Sequence, residues 1–432
     1  MSADGRLAVV PAPRGASLGR GAGWLICHAA LGLPLAMMAL PVYVLVPSFY
    51  AEATGLSLAT IGIVLLGTRL LDAFADPLLG AWVDAQRRRG SYATPIALAC
   101  LPLAAGFALL FNPPPFLAGD GRVAWLATTL TAAYLGYSLA SIAYQAWGSE
   151  LARDDQGRTR ITAAREGAGL LGVVLAAALP QLFGVQALVL LFLATLAIAT
   201  VLLLRGSPRP AAASAASQPL LAAISTPLAS PRFRALLAVF VANGIAAAIP
   251  ATLVLFFIAD RLQLEQHAGL FLALYFIAGA ASMPLWVRAA ARFGMHRTWL
   301  GGMVAAVAAF IWAAALGDGD FVAFATICVL SGAALGADLA LPPALLARVI
   351  DTDGHRGAHE GAYFGLWNFT NKLNLALAAG LALPLLGALG YTPGGRDPDA
   401  LIALSFIYAV LPCLLKLLAA ALLLAAWRQQ RF

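Results

Sequence analysis

Charge is what this sequence has least of. Only 11% of its 432 residues are charged and 61% are hydrophobic, whereas soluble domains carry about 25% charged residues. A water-soluble fold cannot hide that much apolar surface, because accessible surface persists at any size. A bilayer can. Lysine is nearly absent: Lys372 and Lys416 stand alone, and arginine supplies the rest of the 27 basic residues. Cysteine is scarce too. Cys27, Cys100, Cys328 and Cys413 each lie in an apolar run without CxxC spacing, which argues against a disulfide framework or a thiolate metal site. The first 23 residues lack an apolar core, so their Gly, Ala, Pro and Arg content reads as a cytoplasmic tail rather than a cleavable leader. The net charge of +7 comes without a basic patch, so no nucleic-acid partner is expected.

What the chain does have is long apolar runs. A spanning helix needs about 20 of them in a row. Runs of that length fall at 24–49, 57–80, 93–111, 122–147, 163–183 and 186–204, then at 234–259, 268–287, 298–316, 321–346, 360–386 and 400–427. Between the two sets, 205–233 is rich in Ala, Ser and Pro and reads as a cytoplasmic linker. The pattern predicts an all-α membrane protein of about twelve transmembrane helices, with halves at 24–204 and 234–427 and a short tail at 428–432.

Arginine placement tests that layout. With the N-terminus in the cytoplasm, that side receives Arg87, Arg88, Arg89, Arg153, Arg158, Arg160, Arg205, Arg209, Arg288, Arg292, Arg348 and Arg356, among others. The opposite side receives only Arg122, Arg261 and Arg396, beside acids such as Asp120, Asp260 and Asp320. Both termini are therefore expected in the cytoplasm. No loop is long enough for separate chemistry, so function is expected within the bundle.

Few ionisable residues remain inside the spans. They are Arg69, Asp72 and Asp76 in the second, Asp338 in the tenth, Lys372 in the eleventh and Lys416 in the twelfth. Such residues are costly in a bilayer, face the interior and mark ion or substrate paths. Asp72 and Asp76 are four residues apart and share a helix face, with Arg69 on the same stripe. Two carboxylates a turn apart suit a small cation, because hard cations prefer oxygen. The alternative is an Arg69–Asp72 bridge with Asp76 capping a neighbour. Lys372, set among Asn368, Asn371 and Asn374, can pair with those carboxylates and yield to a cation, or simply tie the halves together. Asp338 reads equally as a relay or as a satisfied buried acid. Lys416 is given no role, and His28 and Asn243 read first as structural hydrogen-bonding groups.

The stretch GTRLLDAFADPLLGAWVDAQRRRG carries Arg69, Asp72, Asp76, Pro77, Gly80 and Asp84, then Arg87 to Arg89. It resembles the second helix and following loop of the glycoside–pentoside–hexuronide:cation symporter family. YQAWGSELARDDQGRTRITAAREGAGLLG, with Glu150, Arg158 and Arg165, is similar to that family's fourth helix, loop and fifth helix. GAYFGLWNFTNKLNLALAAGL, with Lys372, is similar to its eleventh. The resemblance implies the major facilitator fold and symport of a small solute with a monovalent cation, Na+ or H+, by alternating access. By resemblance Asp72 and Asp76 are the cation-site carboxylates (the metal ligands if the ion is Na+), with Lys372 their neighbour; from the intramembrane charges themselves, Arg69, Lys372 and Asp338 are expected to form a charge network. Tyr144, Gln145, Arg165, Asn243, Trp367 and Asn371 are the expected solute contacts. Gly80, Asp84, Arg87, Arg88, Glu150 and Arg158 are the expected cytoplasmic gate. No cofactor beyond the coupling ion is implied, and the chain is expected to work as a monomer in a bacterial-type inner membrane.

In one sugar-carrying member of that family the fourth helix also supplies a sugar-holding aspartate, and here SLASIAYQAW has none, with Ser141 near that place. An amphiphilic, lysolipid-like cargo therefore stays open beside a sugar. A membrane prenyltransferase needs a second aspartate-rich cluster, and Asp351 and Asp353 lack that spacing. An enzyme is not expected, and a non-transporting sensor would carry Asp72, Asp76 and Lys372 at a cost without a use.

Overall fold

The computed structural model describes residues 23–152, 154–210 and 220–429. Most of both expected tails, Arg153 and linker residues 211–219 lie outside the described residues. The helices run α1 (Gly23–Ala29), α2 (Gly32–Thr54), α3 (Leu58–Arg88), α4 (Ala93–Leu110), α5 (Asp120–Leu151), α6 (Asp155–Phe183) and α7 (Val185–Gly206) in the first half. A short helix, α8 (Leu220–Ala229), ends the linker. The second half holds α9 (Pro231–Phe256), α10 (Ala268–Phe293), α11 (Met295–Phe310), α12 (Phe321–Thr352), α13 (Glu360–Ala388), α14 (Pro398–Ser405) and α15 (Leu411–Arg428).

Among the described residues, ten helices are long and apolar enough to cross a membrane. The other two expected spans are the α1–α2 pair, broken by a turn at 30–31, and α3, whose middle carries Arg69, Asp72 and Asp76. α14 and α15 form one span through a π-helical turn at Phe406–Val410, and α9 ends in another at Phe257–Arg261. The two turns meet where the Phe257 and Tyr408 rings stack at 4.1 Å. Large apolar side chains such as Leu101, Leu190, Ile198 and Leu381 are exposed, as a lipid-facing surface requires.

The helix ends follow local chemistry. Ser57, Asp154 and Ser230 each accept a backbone N–H three residues on, capping α3, α6 and α9. The three arginines of the sparse side satisfy carbonyls where helices stop. Arg122 donates to Thr54 O, Arg261 to Leu316 O and Arg396 to Asp260 O.

The halves meet in a symmetric way. α3, the second span of one half, packs on α13, the fifth of the other, and α6 packs on α10 in the same relation. Each second span thus lies against the opposite fifth, which is the arrangement a duplicated half produces about a two-fold axis.

Candidate ion and solute site

The second–fifth contact of α3 with α13 brings the costliest side chains together. Asp72 and Asp76 are fully buried, one turn apart on α3. Lys372 Nζ of α13 lies 2.7 Å from an oxygen of each and also reaches Asp76 Oδ1 at 2.8 Å. Ser138 Oγ on α5 receives Lys372 at 2.8 Å and donates to Asp72 Oδ1 at 2.6 Å. Asp72 is therefore held by Lys372 and Ser138, and the Arg69 guanidinium lies over the Tyr134 ring, 5.3 Å from its centroid. Two carboxylates share one ammonium. Ser138 was not among the expected residues. Its only signal is a hydroxyl one helical turn before Ser141, and hydroxyls are common in such helices because they can bond the preceding turn.

The expected grouping of Arg69, Lys372 and Asp338 does not hold as one network. Asp338 on α12 belongs to a second cluster, and its partner is Lys416, the residue given no role. Lys416 Nζ bonds Asp338 Oδ2 at 2.5 Å and Asn243 Oδ1 at 2.8 Å. Trp299 Nε1 and Asn243 Nδ2 donate to Asp338 Oδ1 at 2.9 and 3.2 Å. All four residues belong to the second half, on α9, α11, α12 and α15, so the cluster braces that half internally and lies apart from Lys372.

Between the halves lies a cavity of about 460 Å³, lined by all six expected solute contacts and by Arg69, Asp338 and Lys372. Their side chains are not equally available. Tyr144 Oη is engaged by His28 O at 2.6 Å, and Arg165 pairs with the neighbouring Glu166 at 2.5 Å. Gln145 Nε2 bonds Ser141 Oγ at 2.8 Å and, across the halves, Asn368 Oδ1 at 3.2 Å. Trp367 stacks on Phe240 at 3.6 Å. Asn243 is tied to Asp338 and Lys416. Asn371, by contrast, is exposed to the cavity.

The arginine-rich end of the bundle is sealed. Asp84 accepts Gly361 N at 2.6 Å and Ala362 N at 2.8 Å. These are first-turn donors of α13, which have no partner within their own helix, and the positive end of the helix dipole favours an anion there. Gly80 makes this contact possible, because a Cβ at that position would come within 2.1 Å of Gly361 O. Arg87 is buried and grips Glu150 through Nη2 at 2.5 Å and Nε at 2.8 Å, a forked pairing with fixed geometry. Arg158 bridges to Asp155 at 3.0 Å and to Asp351 of the other half, and Arg348 returns to Asp155 at 3.0 Å. Arg356 donates to the Glu150 and Ala152 carbonyls at 2.6 and 2.8 Å. Arg88 is half-buried at this rim. The expected gate residues thus assemble at one end, and Asp351, Arg348 and Arg356 join them.

Residues 26–425 match the family described as MFS/sugar transport protein. The chain belongs to that family. Among curated members' relatives it is similar to the inner membrane symporter YicJ of Escherichia coli (strain K12), 29% identical over 141 residues, which are 32% of this chain and 30% of YicJ. It is also similar to the putative glycoside/cation symporter YagG of the same organism, 32% identical over 111 residues, 26% of this chain and 24% of YagG. The chain thus matches under a third of the length of either relative. These relatives agree with the family resemblance carried by the second, fourth and eleventh helices. The fold is similar to that of the E. coli fucose:proton symporter FucP, with a TM-score of 0.67 at 13% identity over 92% of this chain and 98% of FucP. The expected major facilitator architecture is present, and the protein is a multi-pass membrane protein of this family.

Proposed function

We propose that this chain is a cation-coupled solute symporter of a bacterial inner membrane, working by alternating access as a monomer with both termini in the cytoplasm. The observation that carries the reading is the charge balance between the halves. Asp72 and Asp76 bring two negative charges to a fully buried place, and Lys372 brings one positive. Among the groups in direct contact, two carboxylates share one ammonium, with the Arg69 guanidinium next along the same helix face over the Tyr134 ring, and buried charge that is not matched is costly. A single monovalent cation completes the cluster. The four carboxylate oxygens and Ser138 Oγ offer a hard-oxygen set for Na+, and one proton on either carboxylate balances the charge equally well.

Lys372 and the incoming cation occupy the same oxygens, so loading the site loosens the α3–α13 bond that ties the halves together. Lys372 then faces the cavity beside Asn368 and Asn371, where a solute replaces the carboxylates as its partner. The arrangement described above, sealed at the arginine-rich end, is the outward-facing state, and Asp84, Gly80, Arg87–Glu150 and Arg158–Asp351 form its cytoplasmic gate. The loaded protein turns inward because ion and solute together bind the closed form better than either open one. Polar side chains around the Trp367–Phe240 stack suit a small hydroxylated solute, whose apolar face packs on an aromatic ring.

Uptake into vesicles tests this directly. Imposed Na+ and proton gradients are expected to drive accumulation above equilibrium, and Asp72→Asn and Asp76→Asn are expected to abolish accumulation while leaving solute exchange measurable. Unchanged accumulation in both variants refutes coupling at this site.

A further inference from the structure

At the arginine-rich end, the outer edge of the second half closes in a corner that neither the cavity nor the gate uses. α10 and α11 are joined there by Gly294 alone. α15 finishes beside the start of α11, where the Arg297 guanidinium stands over the Trp427 ring, 5.2 Å from its centroid. Arg428 follows Trp427. On α10 the Arg292 guanidinium stands 5.4 Å from the centroid of the Phe293 ring, one turn after Arg288. All four of these arginines are exposed, and among the described residues none meets a carboxylate. The nearby acids of that end are engaged by other partners. Asp155 is held by Arg158 and Arg348, Asp351 by Arg158 and Arg356, and Asp353 by Arg232 and Ser230. The corner is therefore positive with nothing among the described residues to balance it.

The rings are the independent observation. Phe293 is 56% exposed and Trp427 36%, and Leu285, about two turns earlier on α10, is 59% exposed. Apolar and aromatic side chains open to the surroundings beside exposed arginines mark the boundary between hydrocarbon and headgroups, where tryptophan is enriched. A guanidinium set over an aromatic face keeps its N–H edge free, and that planar edge matches a phosphate. A soluble anion would meet the charges and leave the rings uncovered. A phospholipid covers both, with its phosphate on the arginines and its chains along the apolar surface of α10 and α15. Basic pockets between transmembrane helices at this level recognise acidic headgroups.

We infer that Arg297 and Arg428, with Arg292 beside them, bind the phosphate of an acidic phospholipid in the leaflet at this end, and that Trp427 and Phe293 pack against the upper part of the same lipid. In the proposed orientation this is the cytoplasmic leaflet. The lipid lies on the outside of α11 and α15. Those helices also carry Trp299 and Lys416, which hold Asp338 from within, so the lipid ties together from outside what that cluster ties together inside. Its binding requires neither the coupling ion nor a solute.

Delipidated full-length protein in a neutral detergent is titrated with phosphatidylglycerol, phosphatidylcholine and water-soluble glycerol 1-phosphate. Retained lipid is counted by native mass spectrometry, and thermal unfolding is followed in parallel. Phosphatidylglycerol is expected to be retained and to raise the unfolding temperature, and the other two to do neither. The double variant Arg297→Gln, Arg428→Gln is expected to bind phosphatidylglycerol roughly tenfold or more weakly, since each arginine near an acidic headgroup contributes about 1 kcal/mol. The control pair Arg89→Gln, Arg160→Gln removes the same charge from exposed positions of the first half and is expected to bind as the wild type does. Both pairs change exposed side chains, so the fold is kept. Equal retention of phosphatidylcholine overturns the inference, as does unchanged binding in the corner variant. An equal loss in the control pair shows diffuse attraction to the whole basic end and overturns it too. Equal stabilisation by glycerol 1-phosphate makes the corner a site for soluble anions and refutes the lipid.

Discussion

Replacing Lys372 with methionine removes the one positive charge of the ion cluster while preserving the length of the side chain. In the wild type its ammonium touches both carboxylates at 2.7 Å with the side chain 8% exposed. Removing one partner of a buried ion pair typically costs about 3–5 kcal/mol, because the remaining charge is left uncompensated. Here two carboxylates remain instead of one, and the ammonium they shared is gone. A cation no longer competes with the ammonium for the same oxygens, so it binds the variant better than the wild type. At a concentration 100-fold above its dissociation constant a ligand returns about 2.7 kcal/mol of stability, enough to offset most of the loss. Thermal unfolding of purified protein in Na+ and in choline at fixed ionic strength is the assay. The expected result is a variant destabilised in choline, largely rescued by Na+ or by acid, with a larger cation-dependent shift than the wild type. A variant as stable as the wild type in choline, with an unchanged cation response, refutes the claim that Lys372 occupies the cation's place.

Gly80→Ala sets a Cβ within 2.1 Å of Gly361 O, and such overpacking costs about 1–3 kcal/mol. The arrangement sealed at the arginine-rich end bears that cost, so thiol labelling of a cysteine placed in the cavity wall is expected to rise from that end by roughly 5- to 150-fold at equilibrium. Unchanged labelling counts against the gate. Beside that gate, burial, with His355 and Arg88 adding to it, lowers the His359 imidazole from 6.5 to about 4. The folded protein holds it neutral while the unfolded chain protonates it below about 6.5, so the stability it contributes is present above 6.5 and is lost as pH falls toward 4. His359→Gln is expected to flatten stability over that window in thermal unfolding, and an unaltered acid slope contradicts the assignment.

The sequence made the spans legible because apolar runs of helical length have few other uses. It was poorer at their ends. The second span, expected at 57–80, continues as α3 to Arg88, since helix formation does not stop where hydropathy does. The expected single runs at 24–49 and 400–427 contain a break at 30–31 and a π-helical turn at Phe406–Val410, features set by packing rather than by composition. Asp72, Asp76 and Lys372 stood out because a charge in a span needs a reason, and their spacing already placed the carboxylates on one face. Lys416 stood out equally but its reason did not, because its partner Asp338 is 78 residues away in sequence and the pairing depends on which helices meet. Ser138 was invisible for the opposite reason: a hydroxyl in a helix costs so little that it signals nothing until a neighbour is seen to use it.

The two lysine clusters differ in the two properties that decide what each can do. The Lys416 cluster joins helices of one half and carries no net charge, so turning one half against the other neither stretches it nor alters its balance. It behaves as part of a rigid wall. The Lys372 cluster joins α3 of one half to α13 of the other and sets two carboxylates on one ammonium, so every change of its occupancy alters the bond between the halves. Burying both kinds of cluster beside one cavity separates the tasks. The neutral cluster stays part of one half, and ion binding acts on the contact between the halves. The gate contact of Asp84 lies on the same α3–α13 line: Asp84 caps α13 at one end of that contact while Lys372 binds Asp72 and Asp76 farther along it, so a cation that loosens the second bond weakens the seat of the first.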